Sequence, residues 1–217
     1  MQDSYPIFMP SMKDNRNIRT LTYLALGDSY TIGEKVAAED NFPNQVVKLL
    51  NDAGFDIEPP VIIANTGWTT DELAEAIQKA ELKSHYDFVT LLIGVNDQYR
   101  GRPVVDYRPG FGGLLEKAIA LAGDDPSHVI VLSIPDWGAT PFAEGRNRAE
   151  IAQEIERYNM ISQDIAVAKK VHYLNITPGT RSSALQDGML AEDGLHPSGK
   201  EYELWAKQVA VLIMQVL

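Results

Sequence analysis

An apolar run, Tyr23 to Leu26, ends in Gly27-Asp28-Ser29, and Asp193-Gly194-Leu195-His196-Pro197 stands near the other end of the chain. Serine is a weak nucleophile until a base removes its proton. Histidine is the base that works near neutral pH, and a carboxylate fixes its tautomer and stabilises the imidazolium. Ser29, His196 and Asp193 are therefore the parts of a hydrolytic triad. Asp193 and His196 are three residues apart and can share one turn. A tetrahedral intermediate also needs fixed donors for its oxyanion. The candidates are the backbone N–H groups of Ser29 and Gly67 and the side-chain amide of Asn96. Each signal has an ordinary alternative. Gly-Asp-Ser can be a plain turn, Asp193 or Ser198 a helix cap, Gly67 a tight-turn glycine and Asn96 an Asx-turn residue.

The elements that must position these residues decide between the two readings. Apolar runs over Thr22–Gly27, Val61–Ala64, Phe88–Ile93, Val129–Ile134 and Val171–Ile176 predict five strands. Between and after them, helical spacing marks 43–53, Thr69 or Thr70 to Leu82, 111–122, 148–170 and 198–216. Apolar strands alternating with helices imply a parallel sheet covered on both faces, a three-layer α/β/α domain. Ligands of such sheets bind beyond the C-terminal strand ends. There the sequence puts Asp28 and Ser29, then Asn65 to Trp68, then Gly94 to Gln98, then Pro135-Asp136-Trp137, and finally the polar loop to Asp193 and His196. Serine, glycine, asparagine, aspartate and histidine thus converge on one edge. Tyr30, Trp68, Tyr99 and Trp137 are candidate substrate-binding residues of the pocket wall. The stretch from Tyr99 to Pro109 reads as an irregular loop, a pocket wall or lid. His85, His128 and His172 precede strands and belong to the opposite edge.

Composition narrows the class. The chain has 217 residues, 45% of them hydrophobic, a formal net charge of -11 and a pI near 4.8. An acidic surface argues against nucleic acid and anionic membranes as partners. With no cysteine, disulfides and thiolate chemistry are excluded. No run is long enough to span a bilayer. Residues 1–20 read as an N-terminal arm or tail and 21–217 as a single catalytic domain. The expected compartment is the cytoplasm, with export the alternative if a leader preceded this sequence. No phosphate-binding loop, dinucleotide fingerprint or H-E-x-x-H helix occurs. Only His196 lies at the right edge for a two-metal phosphoesterase, so neither a metal nor a cofactor is expected. The sequence does not set the oligomeric state.

Together the blocks resemble the SGNH (GDSL-type) hydrolase family. Gly27-Asp28-Ser29 matches its first block, Gly67 in Asn65-Thr66-Gly67 its second, Gly94-Val95-Asn96-Asp97 its third, and Asp193-Gly194-Leu195-His196-Pro197 its fifth. They occur in the family's order over nearly the whole chain. Tyr30 departs from it, standing where the naming motif has leucine. The resemblance implies a flavodoxin-like five-stranded sheet and a metal-independent serine ester hydrolase acting through an acyl-enzyme on a small-molecule ester. Carbohydrate acetyl esterase, lysophospholipase or thioesterase are the alternatives within the family. An inactive binding module on the same scaffold is the alternative outside enzymes.

Overall fold

A computed structural model describes residues 19–217. The expected arm, residues 1–20, lies outside them apart from Arg19 and Thr20, which fasten to the body: Arg19 pairs with Asp87, and the Thr20 hydroxyl donates to Asp56 at 2.6 Å. Five strands form one parallel sheet: β1 (Tyr23–Asp28), β2 (Val61–Asn65), β3 (Phe88–Leu92), β4 (Val129–Leu132) and β5 (His172–Leu174). Their order is β2-β1-β3-β4-β5, so the direction of winding reverses beside β1, and the crevice for a ligand opens there.

The three central strands, β1, β3 and β4, are buried along their whole lengths, whereas β2 and β5 are half-buried edge strands. This is why Leu24-Ala25-Leu26 and Val129-Ile130-Val131-Leu132 read as unbroken apolar runs: helices cover both faces. On one face α2 (Phe42–Asp52) packs against α8 (Gly199–Val216), joined by Phe42, Tyr202 and Trp205. On the other, α3 (Thr70–Lys79), α5 (Val104–Leu121) and α6 (Arg148–Ala168) pack in series. Short helices α1 (Ser29–Ile32), α4 (Val95–Tyr99) and α7 (Thr177–Ser183) follow β1, β3 and β5 directly.

One expectation needs correcting. The stretch from Tyr99 to Pro109 is not an irregular loop. Tyr99 ends α4, and α5 begins at Val104 rather than Phe111, with Pro109 inside it. A proline forfeits one backbone hydrogen bond and crowds the preceding turn, which is why the sequence pattern places the boundary after it. Tertiary packing overrides that preference. Tyr107 is buried between Phe111 and Tyr158, with ring centroids 5.5 and 4.6 Å away, and its hydroxyl donates to the Ile93 carbonyl at 3.1 Å. What remains between the helices is pinned: the Arg102 side chain pairs with Asp71, and its carbonyl accepts from the Tyr158 hydroxyl at 2.7 Å.

Candidate active site

Ser29 leaves the C-terminal end of central strand β1 as the first residue of α1. The Asp28 carboxyl caps that helix, its Oδ1 accepting from the Tyr30 N–H at 3.0 Å. In this first turn the Ser29 N–H has no intrahelical acceptor. The strand enters the turn closely: a Cβ on Gly27 would stand 2.1 Å from Thr31 Oγ1 and 2.5 Å from the Leu92 carbonyl oxygen.

From the opposite end of the sequence, a tight turn brings the other two residues. Asp193 Oδ1 accepts from the N–H groups of Leu195 and His196, both at 3.0 Å, and Oδ2 lies 2.6 Å from His196 Nδ1. That proton on Nδ1 leaves Nε2 as the acceptor, 3.0 Å from Ser29 Oγ. Burial raises the Asp193 carboxyl, but the His196 ring and the two backbone N–H groups outweigh it and hold the group below the ordinary aspartate range. Tyr30 packs beside this pair, 5.1 Å from the His196 ring and 6.5 Å from Trp205 between centroids. Burial, with Asp28, Asp193 and Asp136 nearby, keeps its phenol well above the usual tyrosine range, so it stays neutral.

Gly67 and Asn96 arrive from the ends of β2 and β3. Gly67 adopts φ +80°, a left-handed conformation natural to glycine, and its carbonyl accepts from Arg100 Nη2 at 2.6 Å. Asn96 lies in the first turn of α4. Its Nδ2 donates to the Trp68 carbonyl at 2.9 Å, which fixes the amide plane, and its other contact, to Asp28 Oδ2, is a long 3.5 Å. Asp97 ties this helix to the start of α3, accepting from the Thr70 N–H at 3.0 Å and the Thr70 hydroxyl at 2.9 Å.

Ser29, Gly67, Asn96 and His196 line one cavity of about 170 Å³ with a mostly apolar surface. Tyr30, Tyr99 and Trp137 line it too, as do Thr66, Val95, Phe142 and Leu195. Trp68 does not. Its side chain packs on the core, and its contribution is the carbonyl that holds Asn96. Of the stretch from Tyr99 to Pro109, expected as a pocket wall, a lid or a solvated loop, only Tyr99 reaches the cavity. Sequence reading missed Phe142, which sits in a 3₁₀ turn with no periodicity to mark it. It also missed Gln98, whose position two residues after Asn96 was the available signal. Its Oε1 accepts from Trp137 Nε1 at 2.7 Å. His85, His128 and His172 stand at the N-terminal side of β3, β4 and β5, away from the cavity.

Asp28 is fully buried, and among the described residues only the Tyr30 N–H and the long Asn96 contact are its partners. Burial pushes its carboxyl up to about 8, the Tyr30 N–H opposing and the nearby Asp97 charge adding to the rise. At neutral pH it therefore carries its proton and does not compete for the Asn96 amide. Among the described residues no group of three or more His, Asp or Glu side chains is arranged to hold a metal ion.

The profile of the GDSL-like lipase/acylhydrolase family matches residues 25–204. The chain belongs to this family. Its sheet and flanking helices match solved GDSL-like and SGNH hydrolases. A lipase/acylhydrolase from Enterococcus faecalis superposes with a TM-score of 0.69 at 20% identity, covering 89% of this chain and 95% of the other. An acetylxylan esterase from Geobacillus stearothermophilus gives 0.70 at 19% identity, covering 91% and 96%. A psychrotrophic esterase from a Pseudoalteromonas species, solved with monoethylphosphonate as inhibitor, gives 0.65 at 18% identity, covering 89% and 97%. No curated protein matches the sequence. Within the described residues of this GDSL-like hydrolase, no helix is long and apolar enough to cross a membrane.

Proposed function

We propose that the protein is a metal-independent serine hydrolase of small carboxylic esters. The observation that carries this is the continuous relay from Asp193 Oδ2 through the His196 ring to Ser29 Oγ, at 2.6 and 3.0 Å, opening into an apolar cavity. In this reading Ser29 Oγ attacks the ester carbonyl carbon as its proton passes to His196 Nε2. The carbonyl oxygen becomes an oxyanion, held by the N–H groups of Ser29 and Gly67 and the N–H of Asn96 Nδ2 that does not bond to Trp68. Asp193 stabilises the imidazolium without taking its proton. The intermediate collapses, His196 returns the proton to the leaving alcohol, and an acyl-Ser29 ester remains. Water, deprotonated by His196, then releases the acid and restores Ser29.

The cavity volume favours short acyl groups over lipid-sized ones. An acetylated sugar is the second reading, favoured by Tyr99 and Phe142, 46% and 44% exposed, at the cavity lining. Residues 21–217 would constitute the catalytic domain.

Fluorophosphonate labelling and p-nitrophenyl acetate hydrolysis test the assignment together. Wild-type protein should be labelled on Ser29 and turn over the ester. Ser29→Ala should do neither while keeping its circular dichroism spectrum. Full turnover in Ser29→Ala would remove Ser29 from the reaction, and an inert wild type would favour a binding module. Acetylated xylose beside acetate esters of simple alcohols separates the sugar reading.

A further inference from the structure

Tyr30, Trp137 and Leu195 each face two cavities. One is the cavity at Ser29. The other, about 20 Å³ with mostly apolar walls, is lined also by Pro135, Leu190 and Pro197 and by the polar groups of Thr180 and Glu201. The partition is held firmly at Trp137. The indole is buried, its Nε1 donates to Gln98 Oε1 at 2.7 Å, and Gln98 Nε2 donates in turn to Glu154 Oε2 at 2.7 Å. Its ring stands edge-on to Tyr99 at 5.2 Å and to Phe142 at 6.0 Å. Three elements, α4, α6 and the turn after β4, therefore fix one side chain between two spaces.

Building on the ester-hydrolase reading, we propose that Trp137 sets the length limit for the apolar chain of the substrate ester, by closing the larger cavity off from the smaller one. An apolar cavity of about 150 Å³ admits a benzene-sized group of about six carbons. The cavity at Ser29 has similar room, about 170 Å³, and opens to solvent, so a chain is stopped only where it runs against the wall of Tyr30, Trp137 and Leu195. The reacting ester group itself takes one carbon and two oxygens, which leaves room for a chain of roughly three carbons on the same volume measure. A longer chain meets the indole. Shortening Trp137 joins the two spaces, and the chain gains depth without any change to Ser29, His196 or the oxyanion donors. The Gln98–Glu154 pair is the clamp that keeps the indole across the passage.

The experiment compares kcat/KM for p-nitrophenyl acetate, butyrate, hexanoate and octanoate in wild type, Trp137→Ala and Trp137→Phe. A second arm uses acetate esters of ethanol through octanol, so that the chain lies on the alcohol side. In wild type the value should fall at least about tenfold from the short to the long end of one arm, since one methylene in a hydrophobic pocket is worth about ten- to two-hundredfold. Trp137→Ala should raise the long-to-short ratio of that arm at least about tenfold, and the arm that responds names which side of the ester occupies the cavity. Trp137→Phe, which keeps an aromatic wall but loses the donor to Gln98, should shift the ratio less and in the same direction. It carries the test if the alanine variant does not fold. Unchanged ratios in both arms, in folded variants that fluorophosphonate still labels on Ser29, would overturn the role of Trp137 alone. Wild-type protein that neither labels nor hydrolyses any ester would overturn the hydrolase reading and this one with it.

Discussion

The buried Asp28 makes stability depend on pH in a direction opposite to that of most carboxylates. In the unfolded chain it titrates near 3.8, and in the fold near 8. Between these values the folded protein holds a proton that the unfolded chain has lost. Stability from this group is thus fully present below about pH 4 and is lost as pH rises toward 8. Each pH unit in that window removes about 1.4 kcal/mol, roughly 6 kcal/mol across the whole window. Asp97, raised mainly by its burial, contributes in the same direction, so the group must be isolated by substitution. Asp28→Asn keeps a neutral side chain that still accepts from the Tyr30 N–H, and it cannot ionise. Urea unfolding of both proteins at about pH 5 and pH 8 measures the difference. Wild type should lose about 4 kcal/mol more than Asp28→Asn between the two. Parallel pH dependence would mean that Asp28 is ionised in the folded protein at neutral pH and that its burial is compensated by partners other than Tyr30 and Asn96.

Further outcomes follow from the same geometry. Asn96→Ala should lower kcat by about two to three powers of ten with little change in KM; an effect confined to KM would take Asn96 out of the oxyanion hole. Asp193→Asn, which disturbs the tautomer held by the 2.6 Å contact, should lower kcat by about four powers of ten, and steady-state rates within tenfold of wild type would assign the histidine another partner. Gly94→Ala forces a Cβ to within 2.6 Å of the Tyr107 ring at φ +126° and should destabilise the fold by about 2 kcal/mol or more. A thermal midpoint equal to wild type would show that Tyr107 moves aside.

Three of the site residues readable in the sequence share one property: each comes shortly after an apolar run. Ser29, Gly67 and Asn96 follow β1, β2 and β3 within a few residues, so a strand boundary and the rule for open parallel sheets were enough to place them together. Asp193 and His196 follow no strand, but their spacing allowed a shared turn, and the turn is present. What escaped was set by long-range packing. Pro109 hid the first turns of α5, because the burial of Tyr107 against Tyr158 outweighs a local preference. Trp68 looked like a pocket residue by position, yet β2 is an edge strand and the indole turns to the core. Phe142 matters only through what stands opposite it, and no pattern along the chain carries that information; for Gln98 the chain shows a position beside Asn96 but not the Trp137 indole that it meets.

The turn that joins Asp193 to His196 has one more consequence. Every bond that orients the histidine ring toward its acid is made within four consecutive residues, two of them by backbone N–H groups to the same carboxylate oxygen. The acid–base pair is in this respect a local object, whereas its link to the serine spans 167 positions of sequence. Partial unfolding that undocks the end of the chain would carry the pair away intact and leave the serine stranded at its strand. On the proposed mechanism, activity is lost before the imidazole loses its aspartate, and a protein recovering from denaturation regains the Asp193–His196 contact before the contact to Ser29.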